Sequence, residues 1–214
     1  MSASDNEMPR VISVSGLGEV KSPPDMATIS TGVVSEAASA KDALAKNNVA
    51  MAAVIAALKN AGVNEEDIQT SGFSVNPKYP PYQQGVVQRI VGYTVSNTVT
   101  ASVKNLKNLG PILDTLVQSG SNSINGISFD IDDPKKALNE ARTKAVADAR
   151  AKAELYANAA GVSLGHVVQI SESSAVTPPM PMMVRAQAAD AASVPIAAGQ
   201  QTVSATVSIV YEIQ

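Results

Sequence analysis

The 214 residues include no cysteine and no tryptophan, and a single histidine, His166. Without thiols the chain can form no disulfide, thiolate nucleophile, iron–sulfur cluster or cysteine-based zinc site. One histidine cannot build a histidine-rich metal centre and argues against a histidine-based triad. Aromatic residues make up only 3% of the chain. No run of about 20 apolar residues occurs, so no transmembrane helix is expected. Charge is nearly balanced, with 16 Lys and Arg against 19 Asp and Glu and a net charge of −3. That balance argues against nucleic acid or an anionic membrane as the main partner. Together these absences lean away from an enzyme.

What is present is small and aliphatic. Hydrophobic residues reach 45%, among them 33 Ala and 26 Val. At this length the chain is one large domain or two small ones, with enough residues to bury a sizeable core. The segment Met1–Pro9 is polar and has no basic region followed by an apolar run, so no secretory signal is read there. Two expectations remain: a cytosolic protein, or a mature exported one whose signal has been removed.

Alternation and periodicity mark out the elements. Val11–Val20 reads as a strand, with Gly16-Leu17-Gly18 marking a bend or bulge. A turn at Lys21–Asp25 leads to a second strand through Ala27, Ile29, Thr31 and Val33. Ser39 is a plausible N-cap, with Asp42 in the first turn, for a helix reaching Ala61. Leu44, Met51, Ile55 and Leu58 lie on one face of it, and Gly62 stops it. Ile68–Val75 is a strand ending at Asn76-Pro77. Val91–Val103 alternates so cleanly that one buried and one wetter face are expected, as in antiparallel sheet. A shorter helix at 106–118 carries Pro111 near its middle or at a break. Ile127, Phe129 and Ile131 form another strand.

Asp133-Pro134 then opens the strongest helix, with Asp as N-cap and Pro at N1. Leu138, Ala141, Ala145, Ala149, Ala153 and Tyr156 make a narrow face of mostly small residues. Lys136, Glu140, Lys144, Asp148 and Lys152 make a charge ladder at i, i+4, whose expected role is helix support and solubility. Gly161 stops the helix, Val167–Ser171 is a strand, and Val203–Ile213 alternates to the C-terminus.

The order repeats. Asn60-Ala61-Gly62-Val63 followed by Ile68-Gln69-Thr70-Ser71 is echoed by Ala159-Ala160-Gly161-Val162 followed by Val168-Gln169-Ile170-Ser171. The expected fold is α+β: a duplicated strand-helix-strand-strand unit, with antiparallel sheet and helices packed on one side. The halves run about 11–103 and 121–214, linked by the short helix 106–118 and preceded by a flexible N-terminus at 1–10.

Chemical motifs are few. Gly16-Leu17-Gly18 lacks a third glycine and a following helix, so a bulge is favoured over a nucleotide loop. His166 has no second ligand and is read as a surface or packing residue. The carboxylates Asp132/Asp133 and Glu65/Glu66/Asp67 are explained by helix-end chemistry and solvation. No catalytic, cofactor-binding or metal-ligating residue is nominated, and no cofactor is expected. Met180, Met182 and Met183 among Pro178, Pro179 and Pro181 form the most unusual stretch. Thioethers are adaptable apolar contacts, bind soft Cu(I) and oxidise reversibly. An oligomer or partner contact, a mobile loop and a copper or oxidant site stay open there.

Several ordered stretches resemble one family. Ile12-Ser13-Val14-Ser15-Gly16-Leu17-Gly18-Glu19-Val20 followed by Pro24-Asp25-Met26-Ala27 is similar to the start of SIMPL-domain proteins. The likeness continues through Gly92-Tyr93-Thr94-Val95-Ser96, Ala141-Arg142 with Ala145–Ala149, and Ala160-Gly161-Val162 with Leu164-Gly165. Pro178–Met182 and Val194–Gly199 carry a closer match to an exported, immunogenic branch of that family.

The resemblance implies a non-enzymatic periplasmic protein that forms a large ring- or channel-like homo-oligomer, associated in some members with oxidative or envelope stress tolerance. It brings no catalytic residues to carry over. The partner expected is therefore the chain itself, with no nucleic acid and no known small-molecule ligand; peripheral association with the outer membrane stays open. Tyr79, Tyr82, Met180, Met182, Met183 and Arg185, in the two Pro-containing loops, are the candidates for contacting neighbours or lining a lumen. The alternative is a periplasmic stress-related binding protein whose Met-rich loop takes copper or oxidant.

Overall fold

The computed structural model describes residues 10–82, 84–85, 87–173 and 196–214. The order is β1 (Val11–Ser22), β2 (Met26–Ala37), α1 (Ala40–Asn60), β3 (Ile68–Lys78), β4 (Gly92–Val103), α2 (Leu109–Gln118), β5 (Ser123–Asp130), α3 (Lys135–Ala160), β6 (Leu164–Ser173) and β7 (Gln201–Ile213). The fold is α+β, and every strand pairing is antiparallel.

Two compact units divide these elements. A terminal unit holds β1, α3, β6 and β7, with strand order β1-β7-β6. A central unit holds β2, α1, β3, β4, α2 and β5, with order β3-β4-β2-β5. The units cross the halves 11–103 and 121–214. The N-terminal strand β1 pairs with β7, and β5 pairs with β2. With β1 matched to β2 and α3 to α1, the order β1-β7-β6 corresponds to β2-β4-β3, and the central sheet adds β5 outside β2.

The helix boundaries follow from local chemistry. Ser39 Oγ accepts from the Asp42 N–H at 3.1 Å and donates to the Asp42 carboxylate at 2.7 Å, a reciprocal cap. At the far end Gly62 takes φ +89°, Val63 N–H reaches Leu58 O and Gly62 N–H reaches Lys59 O. Gly161 takes φ +71° and repeats the pattern, with Val162 N–H on Ala157 O and its own N–H on Asn158 O. The echoed Ala-Gly-Val is therefore the same left-handed helix stop used twice. At the start of α3, Asp133 Oδ1 accepts from Lys135 N–H and Pro134 O from Leu138 N–H. Asp133 thus takes a free N–H of the first turn, and Pro134 stands directly before the helix rather than at its first position.

Three expectations change. Gly16-Leu17-Gly18 is not a bulge: β1 runs from Val11 to Ser22 in unbroken register with β7. Pro77 does not end β3, which continues to Lys78 with Pro77 opposite Tyr93; an edge strand tolerates the missing N–H. Pro111 lies in the first turn of α2, where the N–H has no intrahelical partner, and a short 3-10 turn at Leu106–Asn108 precedes it.

The cores differ in kind. Under α1, Met51, Val54 and Leu58 pack with Ile29, Val99 and, from α2, Leu116. Under α3, Ala145, Ala149 and Ala153 pack with Val14, Val207 and Ile209. Tyr156, expected on the α3 face, is exposed, and Ala157 takes the buried place one position on.

Candidate functional site

Gly16 and Gly18 are where α3 meets β1. A Cβ on Gly16 would lie 2.0 Å from Ala145 O, and one on Gly18 1.9 Å from Ala141 O. Only glycine admits the helix backbone at this distance. The two rows stay in step because four helical residues rise about 6 Å and two strand residues about 6.7 Å. The charge ladder uses the same match one row over. Asp148 Oδ2 accepts from the Leu17 N–H at 2.8 Å, Lys152 Nζ donates to Ser15 O at 3.0 Å and Lys144 Nζ to Glu19 O at 3.3 Å. Charged side chains thus take backbone groups of β1, which has no strand on its outer side. Hydrogen bonds from Lys152 and from the Leu17 N–H hold the Asp148 carboxyl below its ordinary value. The ladder was expected to serve solubility; its part in sealing a strand edge is visible only once β1 is placed beside it.

In the central unit, Asn47 is the polar residue that sequence reasoning missed. It is fully buried on the sheet-facing side of α1, and its Nδ2 donates to Val33 O at 2.8 Å and Val95 O at 3.2 Å. Asn47 Oδ1 has no hydrogen-bond partner among the described residues. The signal was present: Asn47 falls four residues before Met51 on the apolar face. Asn122 does comparable work at the end of β5. Its side-chain amide accepts from Val34 N–H at 2.7 Å and donates to Val34 O at 2.8 Å, extending the ladder with β2.

The β3–β4 arm carries the one group of nominated residues that lies in the described part of the chain. Tyr79 and Tyr82 are both exposed, Tyr82 to 78%. Phe73, Val75, Val87 and Ile90 on the same arm are exposed as well. At its base Lys78 is ion-paired with Glu36 of β2, and Thr94 also donates to Glu36. The Lys78 hydrogen bond and charge hold the Glu36 carboxyl below its ordinary value. Met180, Met182, Met183 and Arg185 lie outside the described residues.

His166 is exposed on β6. A cleft of about 200 Å³ in the central unit is lined by Gly62, Asn64, Asp67, Lys104, Asn105 and Asn108, among others. Lys104 Nζ stands 3.9 Å from carboxylate oxygens of both Asp67 and Asp132, so its charge is already shared between them. Among the described residues no group of three His, Asp or Glu side chains is placed to hold a metal ion, and no helix is long and apolar enough to cross a membrane.

Comparison with known proteins places these features. Residues 12–211 match the family model SIMPL, described as a protein of unknown function (DUF541). The chain is 42% identical over 225 residues to the 26 kDa periplasmic immunogenic protein of Brucella melitensis, covering 99% of this chain and 89% of that protein. The protein of the same description from Brucella abortus matches at the same identity and coverage. The uncharacterized protein YggE of Escherichia coli is 31% identical over 196 residues, covering 91% of this chain and 78% of its own.

Proposed function

The chain belongs to the SIMPL family, and from that premise we propose that it is a non-enzymatic, immunogenic periplasmic protein that works as a ring- or channel-like homo-oligomer supporting tolerance of oxidative or envelope stress. The observation that carries the assembly reading is the β3–β4 arm. Among the 22 described residues of the arm from Ile68 to Val91, seven are large apolar side chains that stand exposed. Scattered apolar residues need no explanation, but a concentration on one hairpin supports the reading of a surface that is covered in use. Tyr79 and Tyr82 supply two-torsion aromatic side chains, which lose little entropy on docking. The loops at Tyr79–Gly85 and Thr177–Ala198 are the proposed contacts with neighbours or the lumen lining.

The periplasmic placement rests on the name of the Brucella relatives. Light scattering with particle images tests the assembly: a defined multimer with ring-shaped particles is expected. A monodisperse monomer across a wide concentration range overturns the reading.

A further inference from the structure

The four edge strands of the two sheets are β1, β6, β3 and β5. β1 is sealed by Lys144, Asp148 and Lys152. β5 is short, with a register break opposite Ser30 and Thr31. β3 and β6 are different. Every residue of β3 after Ile68 is exposed, as is every residue of β6 after Gly165. Among the described residues no side chain is hydrogen-bonded to the outer edge of either strand.

Both strands share a second property, set by β-bulges. Directly opposite residues of an antiparallel pair lie on one face of the sheet. In β3 the register shifts between Thr70 and Gly72, so Ile68 opposes Ala101 while Phe73 and Val75 oppose Asn97 and Val95. Val95 and Ala101 are on the buried, helix-side face of β4. The bulge therefore brings Phe73 and Val75 to the helix side, which an unbroken alternation from Ile68 would not. In β6 two shifts set Val167 opposite Tyr211 and Ile170 opposite Ile209, again the helix side. The helices do not cover these side chains: α1 packs chiefly on β2 and β4, and α3 on β1 and β7. Phe73 and Ile170 are each 56% exposed. Among the described residues, each unit thus ends in an open strand edge with an exposed apolar pair beside it.

We propose that β3 of one copy adds to β6 of a second copy, head to tail, as the contact that builds the assembly; the inference rests on the assembly reading above. The exposed side chains of the arm offer on the order of 700 Å², at about 150–250 Å² per full aromatic side chain. That exceeds the roughly 300–600 Å² of the largest patch on a typical monomer and approaches the ~800 Å² per partner of a standard interface.

A second copy is the occupant that matches, because the same chain offers two edges of one construction. Strand addition satisfies the unpaired N–H and C=O groups and covers both apolar pairs. Pairing unlike edges, β3 with β6 rather than β3 with β3, uses both of the strands left open in each chain. One edge given and one received per chain makes a heterologous contact, the kind that closes into rings.

The absence of cysteine makes the test clean. Ser74→Cys and Gln169→Cys are made singly and together in the full chain, and the assembled proteins are treated with a short bismaleimide. The double variant is expected to give a ladder extending beyond the dimer on a denaturing gel. Each single variant should stay uncoupled alone and give dimers when the two are mixed during assembly. Phe73→Lys and Ile170→Lys should each reduce the wild-type multimer to monomer, with thermal unfolding confirming a folded chain. Dimers from Ser74→Cys alone overturn the head-to-tail pairing in favour of a two-fold contact. If the wild type assembles, the double variant gives no coupling and Phe73→Lys keeps the multimer's mass, the edge pairing is overturned and the assembly reading stands. A monomeric wild type overturns both.

Discussion

In the central unit α1 rests on its sheet through Met51, Val54 and Leu58; in the terminal unit α3 lies against the backbone of β1 through Ala141, Ala145 and Ala149. The strand order beneath the two helices is the same. One unit closes its core with side-chain volume and the other with proximity. The choice has a consequence at the sheet edge. A helix that approaches over glycine brings its neighbouring charged row within reach of the strand backbone, and Asp148, Lys144 and Lys152 then take the outer groups of β1. A helix held off by larger side chains has no such reach, and the outer side of β2 is closed by a strand, β5. The same fold thus solves one edge problem with side chains and the other with backbone, and leaves the third position, β3 or β6, open in both units.

Filling the close approach tests this contrast most severely. Gly16→Val places a branched side chain where even a Cβ would sit 2.0 Å from Ala145 O. A loss of about 3 kcal/mol or more is expected, the upper range for overpacking. Gly72→Ala in β3 has its nearest neighbour 3.8 Å from the added carbon. It should be neutral or gain up to about 1 kcal/mol. Urea unfolding of the two variants measures the difference, and equal losses would show that the glycine contact is not what sets α3.

Removing volume should reverse the order of sensitivity. Leu58→Ala in the central unit is expected to cost about 2–5 kcal/mol through the cavity it leaves, while Ala149→Gly in the terminal unit costs about 1 kcal/mol, mainly helix propensity. Asn47→Ala should fall between them, at roughly 1–3 kcal/mol, because two carbonyls lose their buried donor. Denaturant midpoints rank the three, and a larger loss for Ala149→Gly than for Leu58→Ala would break the contrast.

The smallest effect separates the two ways of closing an edge. Asp148 is held below its ordinary value of 3.8 by Lys152 and the Leu17 N–H. A depressed carboxyl stabilises the fold above its unfolded pKa, and that contribution is lost as pH falls through the folded pKa. Asp148→Asn should therefore be less stable than wild type at pH 7, with the gap closing as both are titrated below pH ~4. A gap that stays constant from pH 7 to pH 3 would remove the charge from the account of the β1 edge.

Much of the fold was legible along the chain. Both long helices, the Ser39 cap, the Gly62 and Gly161 stops and the one-sided β4 follow from short-range rules: a side-chain oxygen for free N–H groups, a glycine for a left-handed turn, a period of two for a half-buried strand. The candidate site was legible in part. Tyr79 and Tyr82 were legible as residues of a Pro-containing loop and stand exposed, but Phe73, Val75, Val167 and Ile170 were legible only as strand residues. Their exposure depends on bulges and on which strands a helix covers, and neither has a signature within one strand.

Alanine at i, i+4, glycine at i, i+2 and a charge ladder were each visible in the sequence, and each carried a local meaning: helix, bulge, solubility. The sequence by itself determined where the two long helices begin and end, because those boundaries are set by groups a few residues apart. Only the tertiary structure decided that β1 pairs with β7, that the glycines admit α3, and that the ladder seals an edge. Those partners lie more than 100 residues apart, and the energy that joins them comes from packing and hydrogen bonding that exist only after the chain has closed.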